Sequence, residues 1–251
     1  MKTVAIIQAR TSSTRLPGKV LLPLAGRPMI VFMLDRVRRS RLVDEIVVAT
    51  STDPSDDVLA RCVAGHGVAC HRGSLDDVLD RFHGAAVASN ADRVVRLTGD
   101  CPLMDADLVD LVVARLAAGD VDYASNIAPP SFPDGLDVEA FTMAALERAA
   151  SEARLRSDRE HVTPYIRKAE NGFRMANVTG IADMSELRWT VDYPDDFRLV
   201  ESLVAGVRGA DPVAADRFDF YRVLETSSHL REFNQHGRNE GYAKSLEGER
   251  P

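Results

Sequence analysis

Short apolar runs and amphipathic stretches alternate along the first half of the chain. Lys2–Ile7, Glu45–Thr50 ("EIVVAT"), Gly67–His71 and Arg93–Thr98 ("RVVRLT") are compact runs that read as strands. Between them the apolar positions take up a helical period. Met29, Ile30, Met33, Leu34 and Val37 share one face of a helix over Pro28–Arg39, with Pro28 suited to its start. Ser55–Ala64 reads as a helix that stops near Gly65. Ser74 is placed to cap the next helix, which has Asp76 and Asp77 in its first turn and Leu75, Val78, Leu79, Phe82 and Ala86 on its inner face. Asp105–Ala118 is one more helix. This rhythm predicts an α/β fold, a mainly parallel sheet covered by helices on both faces.

The rhythm loosens after Val121. Asp122–Asn126 and Leu136–Phe141 read as strands, separated by Pro129-Pro130 and the turn chemistry of Pro133-Asp134-Gly135. A helix follows near Met143–Ser151. Ser157 and Glu160 have capping-box spacing, and Pro164 should kink or split the helix behind them. Phe173–Thr179 and Leu187–Val191 read as strands, Pro194 opens a helix to about Val204, and Phe218–Thr226 reads as a last helix. From Ser227 to Pro251 the chain is polar and mixed in charge, an arm either mobile or docked on its own body or a partner. The organisation expected is one domain over residues 1–226 with a subsidiary lobe, and an arm at 227–251.

Composition narrows the function classes. Of 251 residues, 45% are hydrophobic and 27% charged, as in ordinary globular proteins. A net charge of −7 argues against a general nucleic-acid or membrane-surface binder, which carries a broad basic face. Cys62, Cys70 and Cys101 are an odd, sparse set without zinc-type spacing, which suggests reduced thiols in a cytoplasm. The apolar run before Gln8 is too short for a signal peptide or a membrane span.

Against that acidic background, "QARTSSTRLPGK" (Gln8–Lys19) concentrates Arg10, Arg15 and Lys19 at the end of the first strand, with no acidic residue before Asp35. Ligands of open parallel sheets bind beyond the carboxyl ends of the strands. Forked arginine donors plus a compact lysine charge suit a phosphate chain, and the small side chains among Ala9–Ser13 permit close approach to backbone N–H groups. The loop is neither a Walker A motif nor the dinucleotide glycine fingerprint. "RLTGDCP" and "LRWTVDYP" place Asp100 and Asp192 just past two other predicted strands. Together they could hold a hard cation such as Mg²⁺. Alternatively, Asp100 begins a turn and Asp192 caps the helix at Pro194. Asp105-Ala106-Asp107 matches a literal D-x-D metal motif, but its position suits an N-cap and first-turn acid. Trp189 and Cys101 read as core residues.

Seven segments, "IIQARTSSTRLPGKVL", "RGSLDDVLDRF", "VVRLTGDCPL", "FPDGLDVEAF", "SDREHVTPYI", "LRWTVDYPDD" and "RNEGYAKSL", span nearly the whole chain. Together they resemble the cytidylyltransferase family that includes the acylneuraminate and 3-deoxy-manno-octulosonate cytidylyltransferases, nearest its spore coat polysaccharide biosynthesis (SpsF-type) branch. The resemblance implies a three-layer, nucleotide-diphospho-sugar transferase-like sandwich, with 1–226 as the nucleotidyltransferase domain. It implies a cytoplasmic homodimer that couples CTP to an acidic sugar, with Mg²⁺ as cofactor and no nucleic-acid or membrane partner. Arg10, Arg15 and Lys19 would hold the triphosphate. Gln8, Ala9, Arg72, Gly73 and Thr98 would surround the nucleotide, and Asp100 and Asp192 match the metal-binding aspartates. Asp137, Glu139, Arg159 and His161 would belong to the sugar pocket, within a lobe at about 121–183 that also forms the dimer contact. The alternatives are a glycosyltransferase dependent on Asp105 and Asp107, and a nucleotide- or nucleotide-sugar-binding protein without turnover. The family's metal motif usually continues with an acidic or other polar residue where this chain has Cys101.

Overall fold

β1 (Thr3–Gln8) has no polar face to offer solvent: Ala5 and Ile7 enter one core cluster, Val4 and Ile6 the other, all without exposed surface. A strand apolar on both faces must lie inside a sheet covered on both sides. The computed structural model has this arrangement. It describes residues 1–209 and 211–227, and beyond them 229–230, 233, 236–238, 242 and 245–246. Much of the predicted arm, and of its "RNEGYAKSL" segment, lies outside the described residues.

A two-stranded ribbon, β2 (Pro23–Leu24) with β3 (Arg27–Pro28), follows the first loop. The other strands are β4 (Glu45–Ser51), β5 (Ala69–Gly73), β6 (Arg93–Thr98), β7 (Tyr123–Ser125), β8 (Glu139–Thr142) and β9 (Met175–Asn177). Among the described residues the main sheet runs β5-β4-β1-β6-β8-β7-β9. Only β8 opposes the rest, pairing antiparallel with β6 and β7. The stretch predicted as a subsidiary lobe therefore supplies β7, β8 and β9, which extend the same sheet.

The helices are α1 (Met29–Val37), α2 (Asp57–Gly65), α3 (Val78–Ala88), α4 (Ala106–Ala117), α5 (Met143–Glu152), α6 (Arg156–His161), α7 (Pro164–Arg167), α8 (Pro194–Gly206) and α9 (Arg217–Thr226). One face of the sheet packs on α1, α2, α4, α8 and α9, and the other on α3, α5 and α7. The predicted α/β architecture, mostly parallel and covered on both faces, is the observed one.

Several local expectations differ. Ser74 does not cap α3: Asp77 does, its Oδ1 accepting from Asp80 N, while Ser74 Oγ accepts from Asp77 N one turn earlier. Ser157 and Glu160 form no capping box, because α6 starts at Arg156 and its N-cap is Leu155. Pro164 splits the helix, opening the separate α7. Leu187–Val191 is not a strand. Arg188 makes a single bridge with Asp134, and the flanking bonds go to loops: Trp189 N donates to Asp134 O at 2.6 Å and Val191 N to Asp100 O at 2.8 Å. Asp105 is the N-cap of α4, accepting from Leu108 N at 2.9 Å. Trp189 is buried in the core, edge-on to Phe220.

Two glycines allow the close approaches that assemble the sheet's carboxyl edge. A Cβ at Gly99 would lie 2.8 Å from Ala9 Cβ, so glycine lets the ends of β1 and β6 meet. Gly135 has φ +109°, and a Cβ there would lie 2.5 Å from Thr190 N and 2.6 Å from the Trp189 carbonyl carbon. Both neighbours are backbone and cannot rotate away. Gly135→Ala should therefore lower the unfolding free energy by more than about 2 kcal/mol in urea titration. Gly119→Ala is the control: φ is +85° with no heavy atom within 4 Å, so only the left-handed backbone penalty of about 1–2 kcal/mol applies. Equal losses for the two would refute the close-approach account.

Candidate active site

The loop after β1 is shaped by one buried carboxylate that the sequence did not single out. Asp56 Oδ1 accepts from Thr11 N at 2.7 Å and Thr11 Oγ1 at 2.8 Å; Oδ2 accepts from Ser51 N at 3.2 Å and from the Ser51 hydroxyl. Burial raises its pKa, but these donors outweigh burial and hold it below the ordinary aspartate value. Gly18 N closes the loop onto Thr11 O at 2.9 Å and, at φ 70°, turns the chain into a 3-10 segment, Lys19–Leu21. This places Lys19 inside, only 7% exposed.

There Lys19 Nζ donates to Asp100 Oδ2 at 2.9 Å, Asp192 Oδ1 at 2.8 Å and Val191 O at 2.8 Å. Positions far apart in sequence thus converge on one ammonium. Arg15 Nη2 also meets Asp192 Oδ1, at 2.5 Å, with its guanidinium 5.2 Å from the Tyr193 ring centroid. From behind, Arg188 Nη2 donates to Asp192 Oδ2 at 2.9 Å. Arg188 is fixed by Asp134 Oδ2 at 2.7 Å and Asp196 Oδ1 at 3.2 Å. Asp192 is not the cap of α8. Asp196 takes that work, accepting from Asp192 N and Tyr193 N at 2.8 and 2.9 Å, which leaves the Asp192 carboxylate facing the cations. Burial raises the Asp100 pKa, but the Lys19 charge and bonds from Thr98 and Lys19 more than offset it, so Asp100 lies below the ordinary value. Burial likewise lowers the Lys19 pKa, and Asp100 and Asp192 reverse this and leave it raised.

These groups face a cleft of about 1240 Å³ along the carboxyl edge of the sheet. Gln8, Ala9, Arg10, Arg15, Lys19, Thr98, Asp100 and Asp192 line it, and so do Asp137, Glu139, Arg159 and His161. Arg72 and Gly73 do not. The Arg72 guanidinium binds Ser51 O at 2.8 Å, Asp53 O at 3.0 Å and the Asp57 carboxylate at 2.7 Å, which holds it to the β4–α2 connection. Gly73 N–H and C=O lie on β5, and its carbonyl accepts from Thr52 N. Asp105 and Asp107 do not line the cleft either: Asp105 binds Arg217 and the α4 N-terminus, and Asp107 reaches Arg41 at 3.6 Å.

The predicted sugar residues differ in what they have free. Both Glu139 oxygens are engaged, Oε1 by Tyr123 and Thr163 hydroxyls at 2.6 Å and Oε2 by Arg96. Burial raises the Glu139 pKa, but Arg96 and Arg167 bring it below the ordinary value. Arg159 donates to Asp77 Oδ2 at 2.6 Å and to two carbonyls of α5 and its end. Burial, then Arg96, pulls His161 down to about 4, so its ring is neutral near pH 7; Nε2 lies 3.0 Å from Ser245 Oγ. Asp137 pairs with Arg238 from the predicted arm. Burial pushes its carboxyl up to about 7 even though Arg238 opposes the rise.

The sequence reading missed Arg81, Arg96, Arg167 and Arg188, all of which line the cleft. Arg81 is 3% exposed. Nη1 donates to Ser74 O at 2.6 Å, and its buried Nε has no partner among the described residues. Burial and then the neighbouring Arg10 lower its pKa to about 10, against the opposing Asp56 and Asp77. The buried Arg96 and Arg167 Nε atoms and Gln8 Oε1 also lack partners among the described residues. The available signal was strand and helix parity: Arg96 shares a face with Val94 and Thr98, and Arg81 falls one helical turn after Val78.

Asp100 Oδ2 and Asp192 Oδ1 converge on one point, filled by the Lys19 ammonium; their paired oxygens are donors of the kind a hard metal ion takes. No group of three or more His, Cys, Asp and Glu residues placed to hold a metal occurs among the described residues. Two carboxylates plus substrate oxygens is a common Mg²⁺ arrangement.

Comparison with known proteins adds to this geometry. A family model described as Cytidylyltransferase matches residues 4–213. The spore coat polysaccharide biosynthesis protein SpsF of Bacillus subtilis is 34% identical, over 79% of this chain and 84% of its own. The 3-deoxy-manno-octulosonate cytidylyltransferase of Anaeromyxobacter sp. (strain K) is 30% identical, over 82% of this chain and 99% of its own. A solved structure of a cytidylyltransferase from Leptospira borgpetersenii superposes with a TM-score of 0.88 at 32% identity, covering 95% of this chain and 100% of that one.

The carboxylate–ammonium cluster generates a pH prediction. The folded-state pKa of Asp100 lies below its unfolded value of 3.8. Its contribution to stability is thus present above 3.8 and lost as pH falls through the folded value. That of Lys19, raised from 10.5, is present below 10.5 and lost as pH rises through its folded value. In Lys19→Met, burial acts on Asp100 with less opposition, and a ¹³C-carboxyl NMR titration should show its midpoint moved up by at least about one unit. An unmoved midpoint would contradict the cluster.

Proposed function

The chain belongs to the cytidylyltransferase family and is a nucleotidyltransferase; from that premise we propose that it couples CTP to an acidic sugar, releasing a CMP-sugar and pyrophosphate. The single observation that carries the reading is Lys19 bonded to both Asp100 and Asp192 within one cleft shared with Arg10, Arg15 and Arg81. Four cationic side chains at a sheet's carboxyl edge suit a triphosphate and outweigh the chain's diffuse negative field. Gln8 Oε1, buried and without a partner among the described residues, is an acceptor suited to a base amine.

In the proposed reaction a sugar hydroxyl oxygen attacks the α-phosphorus in line. The new O–P bond forms as the bond from the α-phosphorus to the bridging oxygen breaks, and the electron pair leaves with pyrophosphate. The hydroxyl proton passes to solvent. Such chemistry needs positioning and charge neutralisation rather than a protein nucleophile. Arg10, Arg15, Lys19 and Arg81 hold the phosphates and the leaving charge. Asp100 and Asp192 would hold Mg²⁺, which when bound supplies further neutralisation of phosphate charge.

An acidic acceptor is supported by the charge balance at the opposite end of the cleft. Arg96, Arg156 and Arg159 are matched by Glu139, Glu160 and Asp77. Arg167 has no carboxylate partner among the described residues; its guanidinium lies 5.8 Å from the Tyr242 ring centroid. Arg167 faces Glu139, whose pKa burial raises and Arg96 and Arg167 lower, but the Glu139 oxygens are taken by Arg96, Tyr123 and Thr163, and the Arg167 Nε has no partner among the described residues. A guanidinium without a bonded carboxylate suits an incoming one. Activation of such a sugar for a surface polysaccharide, in a cytoplasmic homodimer, is the setting that this reading implies. Met175 and Ile181, exposed near the β9 edge, mark the surface we assign to the dimer contact. No helix among the described residues is long and apolar enough to cross a membrane.

Screening the purified protein for pyrophosphate release, with four nucleotides against a panel of 2-keto-3-deoxy acid sugars, should give turnover with CTP. Saturable CTP binding without pyrophosphate from any acid sugar would instead favour a non-catalytic binder. Lys19→Ala and Asp100→Asn should each lower turnover about 10²–10³-fold, the usual effect of removing one electrostatic contact to the transition state. Arg167→Met should raise KM for the sugar about 10–100-fold, corresponding to one charge-assisted bond, with KM for CTP little changed. An unchanged sugar KM would remove Arg167 from the acceptor site.

A further inference from the structure

Lys19 stands where a divalent ion held by Asp100 and Asp192 would have to stand. Its three ammonium hydrogens are matched by three acceptors, Asp100 Oδ2, Asp192 Oδ1 and Val191 O, all within 2.9 Å. Asp192 is already contacted by three cations: Lys19 and Arg15 on Oδ1, and Arg188 on Oδ2. Arg188 is balanced by Asp134 and Asp196, so Lys19 and Arg15 are the charges that answer Asp100 and Asp192. A bare divalent ion would have to take the point that the Lys19 ammonium fills, and displacing Lys19 would strand a buried ammonium without partners.

We propose that Lys19 is the resident counter-ion of the carboxylate pair and excludes a divalent ion until a nucleotide triphosphate draws it off, so that metal and nucleotide enter together. The three cations are unequal in a way that permits this. Arg188 is anchored by Asp134 and Asp196 and has no other place to go. Lys19 and Arg15 belong to the loop over the cleft, and a phosphate chain beside them offers oxygens in exchange for the carboxylates. Lysine suits the part because its charge sits on a flexible stem with rotatable donors. Leaving Asp100 and Asp192 for phosphate, the ammonium keeps its partners in number, and the freed carboxylate oxygens become available to the arriving ion. The cleft would then bind metal tightly only when phosphate oxygens complete the shell, in keeping with the absence of a third carboxylate ligand among the described residues.

The inference rests on the reading of Asp100 and Asp192 as the metal-holding pair, and the test separates the two. Mn²⁺ serves as the probe, its binding to the full-length protein read by water-proton relaxation and electron paramagnetic resonance. Wild type, Lys19→Met, and Lys19→Met combined with Asp100→Asn are titrated without nucleotide and then with CTP and no sugar. Lys19→Gln, which keeps a donor for Val191 O, is carried alongside should the methionine variant fold poorly. The expected result is that, without nucleotide, Lys19→Met or Lys19→Gln binds Mn²⁺ at least about tenfold more tightly than wild type, and that Asp100→Asn abolishes the gain. With CTP the gap between wild type and the Lys19 variants should close. Equal Mn²⁺ affinity of wild type and the Lys19 variants without nucleotide, lost on Asp100→Asn, would overturn the exclusion while leaving the metal pair in place. No protein-dependent Mn²⁺ binding in any variant, with or without CTP, would overturn the metal reading and the exclusion with it.

Discussion

One ammonium group ties the molecule's working edge together. Lys19 reaches the carboxylate beyond β6 and the carboxylate before α8 at the same time. That contact can form only if three conditions hold. The loop after β1 must be pinned, which Asp56 does through Thr11. The ends of β1 and β6 must approach closely, which Gly99 allows. The 187–192 segment must lie against the Gly135 turn, through the bonds between Asp134 and residues 187, 189 and 190. Each condition is a packing fact about the scaffold, and together they place an otherwise costly buried charge where it has three acceptors.

The electrostatics of the cleft follow from this arrangement. An acidic chain of net charge −7 gathers a group of positive side chains at the sheet's carboxyl edge and compensates them unevenly. Near Lys19, carboxylates and cations are interleaved and can exchange partners with an incoming polyanion. Arg81 lies near Arg10, and its buried Nε has no partner among the described residues, which suits phosphate. At the far end Arg96, Arg156 and Arg159 each have a carboxylate within ion-pair distance, and Arg167 has none among the described residues. Charge position, rather than total charge, divides the cleft into regions of different chemistry.

Much of this was legible in the sequence. The strand–helix rhythm gave the parallel half of the sheet, because β1 and the middle of β4 are apolar on both faces, as a strand covered on both sides must be. The "QARTSSTRLPGK" cluster and the two strand-end aspartates were readable because charge is rare at such places. Other features resisted. Leu187–Val191 looked like a strand, because extended backbone with alternating apolar residues satisfies the pattern whether it pairs with a strand or a loop. The family resemblance set Arg72 beside the nucleotide, but Ser51, Asp53 and Asp57, which claim its guanidinium, come near it through the β4–β5 pairing. Arg81, Arg96 and Arg188 stayed hidden because a buried arginine is recognised by tertiary partners that a linear pattern does not contain.

The central claim is that the cleft grips a nucleotide through its phosphates. It is tested most directly by calorimetric titration of the unmodified protein with CTP, CDP, CMP and cytidine in turn, in Mg²⁺ and without sugar. The account predicts that affinity falls by roughly tenfold or more with each phosphate removed, and that the CTP term weakens as salt is raised. Cytidine bound as tightly as CTP, with no dependence on salt, would contradict it.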